Sequence, residues 1–374
     1  WAMVEFNSNN QPVRSWWADI GSSEQVSMSE DWVAAAMGWP YPPAVATAVH
    51  GFGGTLSGHV VAQCSYGGRG LVFNCAGNRA GANGAPAIAM TMKRGVDQLS
   101  GTVKEGGGET RRLVGFRVAR AAYAWQDNQR VRTSYYAPGY LPESGTWVVS
   151  SELRGLPGRG ISIELQKPLH QEDHLLFMSV YDYQSDGKAT FHSVLGAHDP
   201  STTPEPHTPD LPTVQYQGGR YFGGPAAIAG FKADAGLTQS IHFSAPSVGT
   251  LAFPGEEPVQ IERFYYGLNK GSAQSLRGSW SVMSATDAMP SRIFRFQKRD
   301  EHSVIDTDSG YVCVAEVLRQ YNFHCTGPSG SPAFRFVAGF YGASTGIVGD
   351  DEDAPAITVV RVTDTNGEMV QAGD

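Results

Sequence analysis

Residues 160–195 read GISIELQKPLHQEDHLLFMSVYDYQSDGKATFHSVL, and this stretch decides the fold class. From Ile161 to Gln166 apolar side chains alternate with polar ones, and this period of two predicts a strand with one buried face. A second apolar run covers 175–183, a Ser-Asp-Gly turn follows, and 188–195 returns as a third strand. The stretch is therefore predicted to be a meander of antiparallel strands.

Segments of the chain recur on both sides of this meander. Trp-centred segments at Trp16, Trp147 and Trp280 lie 131 and 133 positions apart, and each is predicted to begin a new run of strands. Each unit also closes on a glycine followed 14 to 16 positions later by an arginine; these pairs are Gly101 and Arg117, Gly249 and Arg263, and Gly346 and Arg361. Such repetition predicts an all-β chain of three tandem antiparallel modules, built as small up-and-down barrels or sandwiches. The predicted modules cover 1–125, 140–268 and 276–374.

The composition supports this class. In 374 residues there are 45 Gly and 22 Pro, while charged residues make up only 17%, which favours short strands joined by turns. One short N-terminal helix is expected at 31–37, because Ser27 to Glu30 matches a capping box. The middle module carries a proline-rich insertion, 198–212, which is predicted to be an extended loop.

The charge argues against nucleic acid as a partner, and the hydropathy argues against a transmembrane segment. The net charge is −8, and no window of the sequence concentrates the basic residues that phosphate contacts require, so no nucleic acid is expected. No run of 18 apolar residues occurs, so no transmembrane segment is expected either.

The cysteines form two pairs with nearly equal spacing. Cys64 and Cys75 are 11 positions apart, and Cys313 and Cys325 are 12 apart. In each pair a strand, a reversal and a second strand would bring the two sulfurs face to face, which predicts two hairpin disulfides. A four-thiolate zinc site is the alternative, but neither pair has C-x-x-C spacing. Disulfides indicate an exported protein of the periplasm, the cell surface or the extracellular space.

The middle unit also resembles a known type of module. The residues that carry the likeness are Gly158 to Glu164, Leu176 to Tyr183 and Asp186 to Phe191. They are similar to a poorly characterised β-rich repeat module of exported proteobacterial proteins, with the pattern G-x-G-x-x-L-E, then L-F-x-x-W-x-x-Y-D, then G-x-P-x-W. The resemblance implies an exported bacterial β-module and no established activity. The tryptophans of that pattern are replaced here by Ser179 or Val180 and by Phe191.

One string has the appearance of a catalytic loop. Residues 325–332 read CTGPSGSP, which resembles the nucleophile loop of chymotrypsin-like proteases, and 47–50 reads TAVH like their histidine motif. The resemblance would make Ser329 the nucleophile and His50 the general base. Pro328 stands where that family has an Asp, and it has neither a charge nor an N–H for an oxyanion hole. We therefore expect no enzyme, with a serine hydrolase as the alternative.

Metal-ligand patterns are weak. His170 and His174 have i, i+4 spacing, but they fall in a polar break between strands, which favours a solvated turn. The acidic runs at 256–257 and 350–353 are predicted to be charged hairpin tips, because no calcium-loop pattern accompanies them. We expect no metal and no cofactor.

Aromatic pairs at the junctions of the units are the candidate binding residues: Tyr135, Tyr136, Tyr265 and Tyr266. They could stack on a glycan or form an interface. The sequence thus favours a non-catalytic protein that works in binding or assembly, with other copies of itself or other surface proteins as partners. A carrier of a small apolar ligand inside a barrel is a further alternative.

Overall fold

The computed structural model of this chain describes residues 1–22, 47–52, 59–67, 72–80, 87–94, 98–116, 123–126, 129–132, 141–153, 158–166, 174–198, 207–226, 228–266, 271–284, 288–316, 323–340, 343–349 and 355–364. Strands dominate these residues, and their helical elements are two short 3-10 turns at Ser150–Glu152 and Ala273–Leu276. The predicted all-β class is confirmed. The helix predicted at 31–37 lies outside the described residues, and among those described no helix is long and apolar enough to cross a membrane.

The first barrel follows a simple up-and-down order. Its strands are β1 (Ala2–Phe6), β2 (Pro12–Ser22), β3 (Thr47–Phe52), β4 (His59–Gly67), β5 (Val72–Ala80), β6 (Ala87–Arg94), β7 (Gln98–Glu105) and β8 (Thr110–Phe116). Each strand pairs antiparallel with the next, and β8 returns to β1 with Phe116 opposite Ala2, which closes the barrel. A two-stranded sheet of β9 (Tyr123–Gln126) and β10 (Gln129–Arg132) follows.

The second barrel repeats the same order with longer strands. Its strands are β11 (Gly145–Val149), β12 (Gly160–Gln166), β13 (His174–Tyr183), β14 (Ala189–His198), β15 (His207–Gly218), β16 (Ala229–Ala245), β17 (Val248–Ala252) and β18 (Val259–Arg263). It closes where β18 pairs with β11, and Arg263 then lies opposite Trp147. The predicted meander of 160–195 is confirmed as β12, β13 and β14, with Ile161, Ile163 and Leu165 buried in the interior.

The third barrel is built in the same way. Its strands are β19 (Gly278–Ser284), β20 (Arg292–Lys298), β21 (Ser303–Asp306), β22 (Val312–Ala315), β23 (Phe323–Thr326), β24 (Phe334–Phe336), β25 (Ala343–Val348) and β26 (Ala356–Arg361). Closure by β26 and β19 places Arg361 opposite Trp280. Of the two predicted architectures, the described residues form closed barrels and not sandwiches.

The repeated glycines have a shared structural cause. Gly101, Gly249 and Gly346 all lie on the seventh strand of their barrels. A Cβ atom at these positions would come within 2.0, 2.5 and 2.2 Å of a carbonyl oxygen on the sixth strand, far closer than packing allows. The same close approach in every barrel explains why a glycine recurs there, and it supports the repeat at the level of atoms.

The tryptophans need one correction. Trp147 and Trp280 occupy first strands, are fully buried, and donate Nε1–H to the carbonyl oxygen four residues earlier, at 2.9 and 2.7 Å. Trp16 was predicted to begin its unit in the same way, but it lies on β2 and donates instead to the Glu5 carboxylate at 2.9 Å. By strand register, Trp1 is the equivalent position, because its neighbour Ala2 faces Phe116 at the closing seam.

Both predicted disulfides are present. Cys64 faces Cys75 across β4 and β5, and Cys313 faces Cys325 across β22 and β23. These are the fourth and fifth strands of the first and third barrels, so each bond closes the equivalent hairpin. All four cysteines are buried.

The equivalent hairpin of the second barrel contains the proline-rich insertion. A loop was predicted over 198–212, but β14 extends to His198 and β15 already begins at His207. The pairing of β15 with β16 shifts register around 208–214, and this irregularity accommodates Pro209 and Pro212 within a strand. The loop is thus shorter than the composition predicted.

The chain divides into two compact units, one formed by residues 1–118 with 270–374 and the other by residues 119–269. The first and third barrels therefore belong to one unit, and Arg295 of β20 donates a hydrogen bond to the carbonyl oxygen of Pro12 at 3.4 Å. The division of the chain into domains at 1–125, 140–268 and 276–374 stays a prediction.

Candidate binding surface

The outer wall of the second barrel carries large apolar side chains in water. Along β13 and β14 one set of alternate residues fills the interior and the other points outward. The outward set on β13, β14 and β15 includes residues that are 37% to 55% exposed: Phe177, Tyr181, Phe191, Leu195 and Tyr216. We call these five residues the aromatic face.

Strand register arranges the aromatic face in two rows. Tyr181 lies opposite Phe191, and the Phe191 ring stacks on the Tyr216 ring with centroids 5.7 Å apart and planes 12° from parallel. In the second row Phe177 lies opposite Leu195. Because Phe177 and Tyr181 are four residues apart on one strand, the rows are separated by roughly 13 Å.

Small side chains lie between the two rows. Ser162 faces Ser179, and Ser179 in turn faces Ser193, so a line of serines crosses β12, β13 and β14. Large rings on both sides of a line of serines form a shallow groove with a polar floor. Gly160 borders the ring of Tyr181, which stands 3.7 Å from where a Cβ atom would be.

The other barrels have a different outer wall. On the fourth and fifth strands of the first barrel the exposed positions include Gln63, Asn74 and Ala76, and on the fifth strand of the third barrel Thr326 is exposed. Among the described residues, the exposed aromatic side chains all lie between Phe177 and Tyr266. Three barrels of one design thus differ in this surface, and only the second has aromatic side chains there within the described part of the chain.

The predicted tyrosines fall into three situations. Tyr135 and Tyr136 lie outside the described residues. Tyr265 is buried, and its hydroxyl donates to Glu143 Oε2 at 2.5 Å. Burial first, and then the neighbouring Glu143 carboxylate, raise the pKa of Tyr265 well above its usual value, so the ring holds the core together as a neutral phenol. Tyr266 is 75% exposed and packs edge-on against Phe264.

The protease-like loop is a β-turn. The Ser331 N–H donates to the Pro328 carbonyl oxygen at 2.9 Å, and Gly330 has a φ of 85°, the geometry of a type II turn with glycine at its third position. Ser329 is exposed at the second position of this turn. His50 lies on β3 of the first barrel, and its side chain is outside what the structure describes, so the Ser329–His50 hydrolase stays an untested alternative.

The predicted solvated turn at 170–174 needs correction at its end. His174 begins β13 and is buried inside the second barrel, directly opposite the buried His198. The Nδ1 atom of His198 lies 2.7 Å from the Thr208 hydroxyl. His174 is in phase with the core residues Leu176 and Met178, and this signal was available in the sequence. His170 itself is outside the described residues.

The described residues give no support for a metal site at the acidic runs that the sequence contains. Glu256 forms an ion pair with Arg159 at 2.8 Å, and residues 350–353 are outside the described part of the chain. Within the residues that the structure describes, no cluster of three or more His, Cys, Asp or Glu could hold a metal ion.

Comparison with known proteins adds no relative. No protein-family model matches the chain, and no curated protein or solved structure matches it either. The resemblance of the middle unit to an exported proteobacterial module therefore stays a prediction. The fold and the surface together describe a chain of tandem up-and-down barrels, of which the second has an aromatic outer wall.

Proposed function

We propose that this chain is an exported, non-catalytic β-repeat protein of a bacterial periplasm, cell surface or extracellular matrix, and that it binds a protein partner through the aromatic face. The proposal is based on a difference in the outer walls of three barrels that share one design. They share strand order and closure and a glycine on the seventh strand, but only the second exposes aromatic rows within the described residues.

The energetics support a binding role. Soluble chains rarely expose contiguous apolar patches larger than a few hundred Å², and patches above that size mark interaction sites. Each ring or Leu side chain that is half exposed keeps on the order of 1 kcal/mol of burial free energy unused. A partner that covers all five side chains would therefore gain several kcal/mol. Aromatic residues are also the residues in which binding energy concentrates at protein interfaces.

The ring geometry favours a protein over a glycan. A sugar stacks on a free aromatic face, but Phe191 and Tyr216 turn one face toward each other. Their edges, together with Tyr181, form a ridge beside the serine line. A ridge beside a groove suits the interdigitating side chains of a protein surface. The partner is another copy of this chain or another surface protein.

The disulfides support export. Both bonds join directly opposed cysteines of hairpins, and such bonds persist in oxidising compartments. All four cysteines are buried, so each bond lies inside its barrel wall and away from solvent.

Site-specific photo-cross-linking tests the proposal. The photoreactive residue p-benzoylphenylalanine would replace Tyr181 in the organism that encodes the chain, and Gln63 on the outer wall of the first barrel would be the matched control. We expect a discrete covalent adduct at position 181 and none at 63, with its mass distinguishing a second copy from another protein. Equal labelling at both positions, or no adduct at 181, would contradict the proposal.

A further inference from the structure

A pocket opens at the mouth of the third barrel. Its volume is about 240 Å³, and it lies where β20 begins and where the turn at Pro328 to Ser331 passes over the barrel end. The side chains that line it come from two hairpins and one turn of the same barrel: Met289, Pro290, Arg292, Phe294, Tyr311 and Ser331. The turn that resembles a protease loop thus forms a wall of this pocket.

The floor of the pocket is apolar and fixed. Met289 and Phe294 are buried, and the Phe294 ring meets the Tyr311 ring edge-on with centroids 5.2 Å apart. Behind Phe294 the ring of Phe334 follows at 5.6 Å. Aromatic packing of this kind holds the floor rigid, so the pocket is preformed.

The rim of the pocket is polar and offers donors. The Tyr311 hydroxyl donates to the Pro332 carbonyl oxygen at 2.9 Å, which orients it at the pocket wall. Burial raises the pKa of Tyr311, while a hydrogen bond from Ser331 and the charge of Arg292 act in the opposite direction. Arg292 and Tyr311 both line the pocket, and Tyr311 is a neutral phenol at pH 7.

Arg292 is the charged group of the rim. It is exposed, and among the described residues no hydrogen bond or ion pair engages its guanidinium. A guanidinium pairs with a carboxylate through two parallel hydrogen bonds. The pocket thus combines an exposed guanidinium and a serine hydroxyl with apolar walls formed by the rings of Pro290 and Pro332.

We propose that this pocket binds a small carboxylic acid with an apolar body, whose carboxylate pairs with Arg292 and whose body lies against the rings of Pro290 and Pro332. The volume is below the range of about 300–1,000 Å³ that suits drug-sized ligands, so a single ring or a short branched chain fits. A bare anion such as phosphate would leave the proline rings of the pocket walls uncovered. The ligand comes either as a free acid or as the C-terminal residue of a chain.

Phenylacetate is the probe for a binding test on the full chain. Saturation-transfer NMR would detect contact, and titration calorimetry would give the affinity. We expect phenylacetate to bind, and both acetate and phenylacetamide to bind at least about tenfold more weakly, because each lacks one of the two recognised parts. No binding of phenylacetate, or equal binding of acetate, would overturn the proposal.

Two variants connect the binding to the rim. Arg292→Gln should weaken phenylacetate binding about tenfold or more, while Arg299→Gln, an equal loss of charge at an exposed position just after β20, should leave it unchanged. Ser331→Ala at the exposed turn should weaken it about threefold and serves if the Arg292 variant does not fold. Unchanged binding in the folded Arg292 or Ser331 variant would overturn the site.

The source of the ligand is distinguished by a second probe. N-acetylphenylalanine carries the same carboxylate and ring as a chain terminus. Binding tighter than that of phenylacetate assigns the pocket to a C-terminal residue, and weaker binding assigns it to a free acid. Because the site belongs to a different barrel from the aromatic face, loss of one binding activity would leave the other measurable.

Discussion

The rings of Phe191 and Tyr216 stack across β14 and β15 with their planes 12° apart, on the outside of a barrel whose interior is already filled by Trp147 and Phe243. A stacked pair that points into water contributes little to the core. Together with Tyr181, the pair gives the second barrel an exposed aromatic surface that the described residues of the first and third barrels lack. This difference supports the binding role proposed for the second barrel.

The aromatic face should be dispensable for folding. Tyr181 is 55% exposed, whereas Met178, three residues earlier on the same strand, is fully buried. We expect Tyr181→Ser to change the free energy of unfolding by less than about 1 kcal/mol, and Met178→Ala to lower it by about 2–5 kcal/mol. Urea denaturation followed by fluorescence checks both. A loss in the Tyr181 variant as large as that in the Met178 variant would assign the tyrosine to the core.

The seventh-strand glycine should not tolerate a side chain. Gly101→Ala places a Cβ atom 2.0 Å from the Thr91 carbonyl oxygen, so β6 and β7 must separate. We expect a loss of about 1–3 kcal/mol or more in the first barrel. Gly107→Ala at the tip of the following hairpin is the matched control, because nothing lies within 4 Å of its added Cβ atom. Equal thermal midpoints for the two variants would argue against the close approach.

The Cys64–Cys75 bond should stabilise the first barrel by restricting its unfolded chain. The bond spans 11 positions, for which chain entropy predicts roughly 3 kcal/mol. Replacing both cysteines with alanine should lower the unfolding midpoint of the unit that contains the first barrel and leave that of residues 119–269 unchanged. Differential scanning calorimetry resolves this if the two units unfold separately. An unchanged midpoint would show that the barrel does not depend on the bond.

Stability of the second barrel should depend on pH through Glu152. Burial acts to raise its pKa, but hydrogen bonds from the side chain and backbone of Arg159, at 2.7 to 3.0 Å, and the charge of Arg159 outweigh burial and lower it below the usual 4.5. A lowered folded pKa stabilises the fold above pH 4.5 and loses this contribution as the pH falls through the folded pKa.

Glu152→Gln should therefore cost about 1 kcal/mol at pH 7 and progressively less below pH 4.5. Urea midpoints of the variant and of wild type at pH 7 and pH 3 measure the difference. The exposed Glu257→Gln is a control for loss of one carboxylate. A cost that is the same at both pH values would mean that the Arg159 contacts do not act through charge.

Local patterns in the sequence predicted much of the fold. The alternation at Ile161, Ile163 and Leu165 identified a buried face, and the spacing within the cysteine pairs identified two hairpins, because both signals involve residues close in the chain. Closure of a barrel depends on pairing between strands more than 80 positions apart, such as Trp280 with Arg361, and no local pattern reports it.

The aromatic face was not predicted, for a physical reason. Both alternating sets of β13 are apolar, with Leu176, Met178 and Val180 inside and Phe177 and Tyr181 outside. A continuous apolar run does not tell which set faces the core. Register with β14 settles it in the structure, and the junction tyrosines that the sequence favoured instead include Tyr265, which is buried.

The size of the native protein tests the central claim most directly. Sedimentation velocity would compare protein purified from its own organism with a variant in which Tyr181, Phe191 and Tyr216 are replaced by Ser, Asn and Ala, residue types exposed on the first barrel. We predict that the wild type sediments in a complex and that the variant sediments as a single folded chain. Wild type that sediments as a single chain, or a variant that stays in the complex, would contradict the account.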